Sequence, residues 1–418
     1  MSRTWLRTVR GEELPLGARR AYTPETLREA EAIVEDVQAG GESAVRRIAA
    51  RFGEIEAGQD LFAERAEMAR ALDSVAVEDR RVLERAAGRI EAFARAQRAS
   101  VSDVDVGVPG GRAGHMIEAL ERAGCYAPGG RYPLPSSVLM TAVTARAAGV
   151  RDVCVASPRP GAVVLAAAAI AGADRVLRIG GAHAIAAMAF GLPGLPARDI
   201  IVGPGNRWVT AAKYLVSDRC AIDMLAGPSE LVVLADESAD AGIVAADLIA
   251  QAEHDPDALP VLVTTSQRLI DSVNRELGSQ LAELPTRQVA EASLANGFAT
   301  VVASMEEGIA VCNGLAPEHL EVMARDEGAV VGRLRGYGGL FIGRAAAEVF
   351  GDYGIGPNHT LPTGGTARHS AGLSVMTFLR ARTWLRMDDA DAVVGETARL
   401  ARMEGLEGHA RAAERRLV

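Results

Sequence analysis

Short β-prone runs alternate with alanine-rich helical stretches along the middle of the chain, and this alternation constrains the fold most strongly. Between about Gly124 and Asp236 the β-prone runs lie at residues 125–127, 152–156, 175–179, 199–202 and 230–235. A second, shorter alternation has runs at 260–264, 300–303, 320–323 and 339–342. Such alternation favours parallel sheets that helices cover on both faces. The sequence therefore predicts an α/β protein with two such units.

Helical patterns flank the two units. Thr23 is placed to cap a helix that begins at Pro24, and helical periodicity continues to about Ser100. The side chains predicted to share one apolar face there are Val82, Ala86, Ile90 and Phe93. After about Ser370 the pattern is helical and charged, with no further strand signal. The predicted organisation is an N-terminal arm at 1–22, α/β domains at 23–228 and 229–369, and a helical C-terminal tail at 370–418.

The composition indicates a large enzyme of a reducing compartment. The 418 residues are 49% hydrophobic and carry a formal net charge of -9, which disfavours nucleic acid and anionic membranes as general partners. The four cysteines, at 125, 154, 220 and 312, are too few and too widely spaced for a disulfide framework or a Cys-x-x-Cys zinc site. The N-terminus lacks an apolar signal segment, and the longest apolar run, 161–173, is shorter than the ~18 residues of a membrane span. We therefore expect a cytoplasmic protein.

Four of the seven histidines stand in short strings with carboxylates or side-chain amides. The strings are Gln251-Ala-Glu253-His254, Pro317-Glu318-His319, Gly351-Asp352-Tyr353 with Asn358-His359, and Glu404 with His409. Imidazole and carboxylate oxygen are the usual ligands of a catalytic zinc, and an adjacent Glu-His pair offers two proton-transfer groups. Any one of these histidines alone is more often an ordinary core or surface residue. Together they indicate a metal site with acid-base groups.

Glycine-rich loops mostly follow the β-prone runs of the first unit. They are Pro128-Gly-Gly130, Gly180-Gly-Ala182, Gly203-Pro-Gly-Asn206 and Gly227-Pro-Ser229. This position predicts the carboxyl edge of a parallel sheet, where α/β proteins bind ligands, although any one loop has ordinary turn chemistry as its alternative. The Gly-x-Gly-x-x-Gly fingerprint with an acidic partner is absent from the sequence. The pattern alone therefore leaves the cofactor open.

Taken in order, these strings resemble the histidinol dehydrogenases, a family of zinc-dependent enzymes of histidine biosynthesis. The matching runs are Tyr126 to Gly130, Pro135 to Met140, Gly180 to Ile185, Gly203 to Asn206, Ile222 to Glu230, Asp247 to His254, Pro317 to Leu320, Gly351 to Tyr353, and Asn358 to Pro362, with Glu404 and His409 near the end. The resemblance implies two incomplete Rossmann-like domains of the aldehyde-dehydrogenase kind. It also implies a homodimer in which the C-terminal tails are exchanged.

The resemblance further implies roles for individual residues. The implied ligands of one Zn²⁺ per subunit are Gln251, His254 and Asp352, with His409 supplied by the neighbouring subunit. Glu318 and His319 match the catalytic pair. The positions that match substrate contacts are Ser136, Ser229, Tyr353, His359 and Glu404, together with Gln251, His254, His319, Asp352 and His409. Tyr126 and Asn206 match contacts to NAD, as does His183, where the family usually has Gln; both side chains can hydrogen-bond a ribose or phosphate.

The implied reaction is the NAD-dependent oxidation of L-histidinol through the aldehyde to L-histidine. Zinc has no redox chemistry, so the oxidation needs an organic hydride acceptor. One alternative is a family relative that oxidises an anionic diol such as sulfopropanediol, whose pocket would offer arginine or amide donors to a sulfonate. The other is a non-catalytic paralogue on the same fold. The carboxylate of Glu404 suits a cationic substrate better than a sulfonate, and every predicted zinc and acid-base position is filled.

Overall fold

The computed structural model describes residues 4–14, 19–56, 58–129 and 132–417. Its strands are β1 (Arg7–Thr8), β2 (Phe62–Glu64), β3 (Val104–Val108), β4 (Gly111–Ala119), β5 (Arg122–Tyr126), β6 (Asp152–Ala156), β7 (Arg175–Leu177), β8 (Ile200–Val202), β9 (Ala221–Ile222), β10 (Glu230–Ala235), β11 (Leu259–Thr264), β12 (Phe298–Val301), β13 (His319–Met323), β14 (Gly339–Ile342) and β15 (Leu379–Met387). Its α-helices are α1 (Pro24–Arg51), α2 (Arg65–Ser74), α3 (Val77–Ala99), α4 (Pro135–Ala148), α5 (Ala162–Ile170), α6 (Gly181–Phe190), α7 (Arg207–Leu215), α8 (Ala241–Ala252), α9 (Gln267–Leu281), α10 (Arg287–Asn296), α11 (Met305–Leu315), α12 (Glu327–Val331), α13 (Glu348–Asp352), α14 (Asp391–Met403) and α15 (Glu407–Glu414).

The first sheet has six strands in the order β2-β7-β6-β5-β8-β9. All its pairs are parallel except the edge pair β2–β7. One face packs against α2, α3, α4 and α5, and the other against α1, α6 and α7. The inner strands, β5 to β8, are buried on both faces, which explains why they read as continuous apolar runs. The predicted α/β class is confirmed.

The second sheet also has six strands, all parallel, in the order β1-β12-β11-β10-β13-β14. Helices α8, α9 and α10 cover one face, and α11 and α12 cover the other. Strand β1 comes from the N-terminal arm and pairs with β12, with Arg7 opposite Phe298. Strand β1 is therefore part of the second sheet, although α1 and the whole first sheet lie between it and β10 in sequence.

A third sheet, antiparallel and in the order β15-β4-β3, corrects the prediction that the tail carries no strand. Strand β15 runs from Leu379 to Met387, and most of its side chains are exposed. A strand exposed on both faces shows no apolar alternation, so its sequence gives no strand signal. The tail after residue 370 is thus a strand followed by the helices α14 and α15.

Two helical predictions in the N-terminal region have different outcomes. Thr23 caps α1 as predicted, because its Oγ1 accepts a hydrogen bond of 3.1 Å from the backbone N of Thr26. The predicted apolar face of α3 is partly wrong: Ala86 and Ile90 are buried, but Val82 and Phe93 are 50% and 41% exposed. Leu83, Ala87 and Ala94 are the other buried residues of α3, so the buried face is rotated from the predicted one.

Candidate active site

The Glu-His pair of the sequence lies at the amino edge of the second sheet. Glu318 directly precedes β13 and His319 begins it, next to the start of β10, with His319 opposite Leu231. Both side chains are buried, at 7% and 3% exposure. Ala316, just before them, has a positive φ of 47°, which turns the chain from α11 into the strand.

The Glu318 carboxyl is held by two donors from the neighbouring strand. Its Oε2 accepts from the Ser229 hydroxyl, and from the backbone N of Glu230 at 2.9 Å. Burial raises the pKa of Glu318 well above its ordinary value, and the two donors only partly oppose this. A carboxylate with a raised pKa is a stronger base, which suits Glu318 to remove a proton from water.

The orientation of His319 leaves one ring nitrogen available. Its Nδ1 donates to the carbonyl oxygen of Glu230 at 3.1 Å, so the proton of the neutral ring is on Nδ1. Nε2 therefore carries the lone pair, and it lies 3.9 Å from Oδ1 of Asp352. Desolvation lowers the pKa of His319 to about 4, which keeps the ring neutral near pH 7. Nε2 can thus accept a proton from a substrate at this position.

Two of the predicted zinc ligands approach each other closely. Nε2 of His254, after α8, is 3.5 Å from Oδ2 of Asp352, the last residue of α13. Two ligand atoms at ~2.1 Å from a tetrahedral zinc lie roughly 3.4 Å apart, so this pair fits one zinc ion. The described residues contain no group of three His, Cys, Asp or Glu side chains that could hold a metal. The predicted zinc ligands are not a group of that kind, because one of them is the amide of Gln251 and another is a histidine from a second subunit.

Gln251, three residues before His254, is fully buried, and its amide has one orientation that satisfies its neighbours. In that orientation the amide nitrogen donates to Oε2 of Glu348 at 3.0 Å and to the carbonyl oxygen of Glu230 at 3.3 Å. The amide oxygen lies 3.1 Å from the hydroxyl of Ser229, whose single proton is shared between this oxygen and Oε2 of Glu318. Ser229 therefore lies between Gln251 and Glu318, two of the predicted functional residues.

His359 places the site between the two sheets. Its Nδ1 is 3.9 Å from Oδ1 of Asp352, and its Nε2 is 3.5 Å from the hydroxyl of Ser137 in the first turn of α4. Asn358, just before it, donates to the carbonyl oxygen of Met140 at 2.8 Å. Because α4 follows β5, these contacts join the carboxyl edge of the first sheet to the amino edge of the second. Ligand binding in a crevice at the carboxyl ends of parallel strands is common in α/β proteins.

Two predicted substrate contacts in this region have open surroundings. Ser136 is half-buried one position before Ser137, and in the described part of the chain its side chain forms no hydrogen bond. The sequence gives no means to choose between these adjacent serines. Tyr353 follows Asp352 and is 68% exposed. Partial burial of the ring raises the pKa of Tyr353 most, and the nearby charge of Asp352 raises it further.

The tail residues are not brought to this cluster within one chain. Glu404, directly after α14, and His409, in α15, are both exposed. These helices share a small core of Ala398, Ala401 and Ala410. Within the described ranges, neither side chain forms a hydrogen bond or ion pair with the site. Their part in the zinc and substrate positions stays a prediction that needs a second subunit.

The predicted NAD contacts lie at the carboxyl edge of the first sheet. The Tyr126 hydroxyl accepts from the backbone N of Gly181 at 3.0 Å, and burial raises the Tyr126 pKa to about 12. Asn206 caps α7, with Oδ1 accepting from the backbone N of Trp208 and Val209 at 3.1 Å each. The loops at 128–129, 180–181 and 203–206 follow β5, β7 and β8 as predicted, whereas 227–229 leads into β10. Gly130 lies outside the described residues.

His183 has an acidic partner that the sequence analysis missed. Its Nε2 is 2.7 Å from Oε2 of Glu54, while Oε1 of Glu54 accepts from the backbone N of Gly180 at 3.2 Å. His183 is 1% exposed, and its Nδ1 has no hydrogen-bond partner among the described residues. Phe52 stacks on the ring with centroids 5.8 Å apart. The pair joins residues that are 129 positions apart, so no local pattern could have shown it.

Comparisons with known proteins agree on one family. The profile of the family described as histidinol dehydrogenase matches residues 18–417. The histidinol dehydrogenase of Aromatoleum aromaticum is 43% identical over 394 residues, covering 92% of this chain and 90% of that protein. This chain belongs to the histidinol dehydrogenase family. The enzyme of that name from Thermus thermophilus is 46% identical over 342 residues, covering 81% of this chain and 82% of the relative.

A solved structure of the same family has the same fold. The crystal structure of histidinol dehydrogenase from Elizabethkingia anophelis superposes with a TM-score of 0.92 at 30% sequence identity, covering 100% of this chain and 99% of that one. The match extends over both sheets and the tail, so the resemblance stated from the short sequence strings is confirmed. None of the described helices has the length and hydropathy that a membrane-spanning segment requires.

Proposed function

We propose that this chain is a zinc- and NAD-dependent L-histidinol dehydrogenase, which oxidises L-histidinol through L-histidinal to L-histidine. The observation that carries the proposal is the environment of His319. Its Nδ1 is fixed by the carbonyl oxygen of Glu230, and its neutral Nε2 faces Asp352. The adjacent Glu318 is held by two hydrogen bonds, from the Ser229 hydroxyl and the backbone N of Glu230. The names of the relatives support the same substrate.

The donor set fits zinc. His254 and Asp352 have the separation of two ligands of one ion, and Gln251 offers an oxygen from the same region. We propose that His409 of a second subunit completes the set. Bound zinc would supply Lewis acidity to the substrate, and NAD⁺ would accept the hydride of each oxidation.

The residues of the chain would then move the protons. In the first stage Nε2 of His319 takes the proton of the substrate hydroxyl while the adjacent carbon loses a hydride, and the alcohol becomes an aldehyde. In the second stage Glu318 removes a proton from the water that adds to the aldehyde carbon. The hydrate formed loses a second hydride and gives the carboxylate. The sum is one alcohol, one water and two NAD⁺ consumed, with one carboxylate, two NADH and three protons released.

The remaining assignments concern binding and assembly. Ser136, Ser229, Tyr353 and His359 are proposed to contact the substrate, with Glu404 of the partner facing its cationic end. Tyr126, His183 and Asn206 are proposed to contact NAD. We further propose an aldehyde-dehydrogenase-like arrangement of the domains at 23–228 and 229–369, with the arm at 1–22 and the exchanged tail at 370–418. The pairing of β15 with β4 supports this, because it carries the tail away from the two parallel sheets on a separate antiparallel one.

The proposal is tested by NADH formation with purified, zinc-loaded protein. L-Histidinol should yield two NADH per molecule, and sulfopropanediol should yield none. Glu318→Gln should slow the oxidation of histidinal more than that of histidinol, because only the aldehyde stage consumes water. Turnover of sulfopropanediol in preference to histidinol, or equal slowing of both stages in Glu318→Gln, would contradict the proposed substrate or the proposed base.

A further inference from the structure

Glu348 is a buried carboxyl that the reaction described above does not use. It begins α13, four residues before Asp352, and is 0% exposed. Its backbone N donates to Oε1 of Glu321 at 2.9 Å, which fixes the start of the helix. Its own Oε2 lies 3.0 Å from the amide nitrogen of Gln251 and 3.6 Å from Nδ1 of His319. One carboxyl oxygen thus faces both a proposed metal ligand and the proposed base.

The contact with Gln251 matters because an amide binds a metal through its oxygen. The two ends of a Gln side chain are nearly equal in size, so neighbouring hydrogen-bond groups decide which end faces a site. Oε2 of Glu348 and the carbonyl oxygen of Glu230 both accept hydrogen bonds, and both face the nitrogen end. Reversing the amide would bring its oxygen against these two acceptors. The oxygen end is therefore directed to the side of the Ser229 hydroxyl.

We propose that Glu348 is a positioning residue that orients the Gln251 amide with its oxygen available to zinc. The inference rests on the proposed zinc site and adds a residue that acts on the ion through one of its ligands. The contact of 3.0 Å to Glu348 is shorter than the 3.3 Å contact to Glu230, and Glu230 contributes a backbone oxygen that no substitution removes. Of the two acceptors that orient the Gln251 amide, Glu348 is thus the one that a single substitution can remove. Loss of such a supporting hydrogen bond typically weakens metal binding by about 10–100-fold.

The test measures zinc affinity directly, by competition with a chromophoric chelator on the full-length protein. Glu348→Met fills a similar volume without an acceptor, so its zinc Kd should rise by roughly 10–100-fold. Glu348→Gln keeps an oxygen that can accept from Gln251 and should bind zinc like the wild type. Glu321→Gln is the matched control, because Gln keeps the oxygen that accepts from the backbone N of Glu348 at 2.9 Å and should therefore leave the zinc Kd unchanged.

A second substitution separates orientation from general damage. Gln251→Glu has oxygen at both ends and needs no orientation, so adding it to Glu348→Met should recover zinc affinity relative to Glu348→Met alone. Unchanged zinc affinity in Glu348→Met, or no recovery in the double variant, would overturn the inference. So would an equal loss in Glu348→Gln and Glu348→Met accompanied by a lower unfolding midpoint. A wild-type protein that binds no zinc would instead refute the proposed function itself, and the inference with it.

Discussion

Replacing His319 by Asn removes the proposed base while keeping the hydrogen bond that positions it. The amide nitrogen of Asn occupies nearly the place of Nδ1, so it can still donate to the carbonyl oxygen of Glu230, which accepts from the imidazole at 3.1 Å. Nothing then replaces Nε2, the nitrogen that faces Asp352 at 3.9 Å. A positioned general base contributes about 10²–10⁴-fold, so the rate of histidinol oxidation should fall by that factor, equivalent to roughly 3–5 kcal/mol of activation free energy.

The assay is the initial rate of NADH formation at saturating histidinol, with zinc content measured on the same samples. In the wild type the pKa of His319, lowered to about 4 by desolvation, leaves the base neutral over the whole neutral range. In His319→Asn hydroxide must take the proton, so the residual rate should rise with pH. His115→Asn is the matched control, because His115 lies on β4 in the antiparallel sheet. A variant that keeps its zinc and more than about a tenth of the wild-type rate would refute the role of His319.

Three further predictions concern assembly and stability. Mixing inactive His409→Ala and His254→Ala proteins under conditions of subunit exchange should restore up to about a quarter of wild-type activity if the C-terminal tails are exchanged in a symmetric dimer. Confirmed heterodimers without activity would contradict the exchange of tails. Lys213→Met should lower the free energy of unfolding in urea by about 3–5 kcal/mol, because it leaves the buried Asp223 without its cation, and Asp223→Asn should recover much of the loss. Burial and the nearby Asp247 raise the pKa of Glu321, so the folded state holds this proton more tightly than the unfolded one and loses stability as pH rises above the ordinary carboxyl range. Glu321→Gln should therefore lose less stability than the wild type between about pH 5 and pH 8, and identical pH dependence would contradict this.

The sequence predicted the parallel sheets well because most of their strands are apolar and largely buried. The runs 152–156, 230–235 and 339–342 have the same bounds as β6, β10 and β14. Each is apolar without interruption or nearly so, and glycine or proline lies close to its ends. The antiparallel sheet escaped prediction for the opposite reason. In β15, Arg380, Arg382 and Arg386 stand on an exposed surface, and their ion pairs with acidic partners do not depend on an apolar face.

The candidate site was predictable only in part, because its contacts join distant segments. The strings around His254, Glu318 and Asp352 marked their own residues, and the structure brings these three segments together. The residues that support these side chains stand in no recognisable sequence pattern. Glu348 is one of 54 acidic residues in the sequence, and Glu54 reaches His183 across 129 positions. An acidic residue that supports a site through another side chain needs no particular spacing in the sequence. A sequence pattern therefore cannot distinguish it from the other acidic residues.

The charges around Asp352 give a physical reason for a cation at the proposed position. Three imidazole nitrogens surround this carboxylate, from His254 at 3.5 Å and from His319 and His359 at 3.9 Å each. Burial lowers the pKa of His319 and of His359, so at neutral pH these two rings bring no positive charge to the carboxylate. A carboxylate that is 11% exposed and lies beside rings without positive charge is unfavourable in a medium of low dielectric constant. A divalent ion between Asp352 and His254 offsets that charge, while the hydrogen bond from Nδ1 of His319 to Glu230 keeps Nε2 of this ring available for the substrate proton.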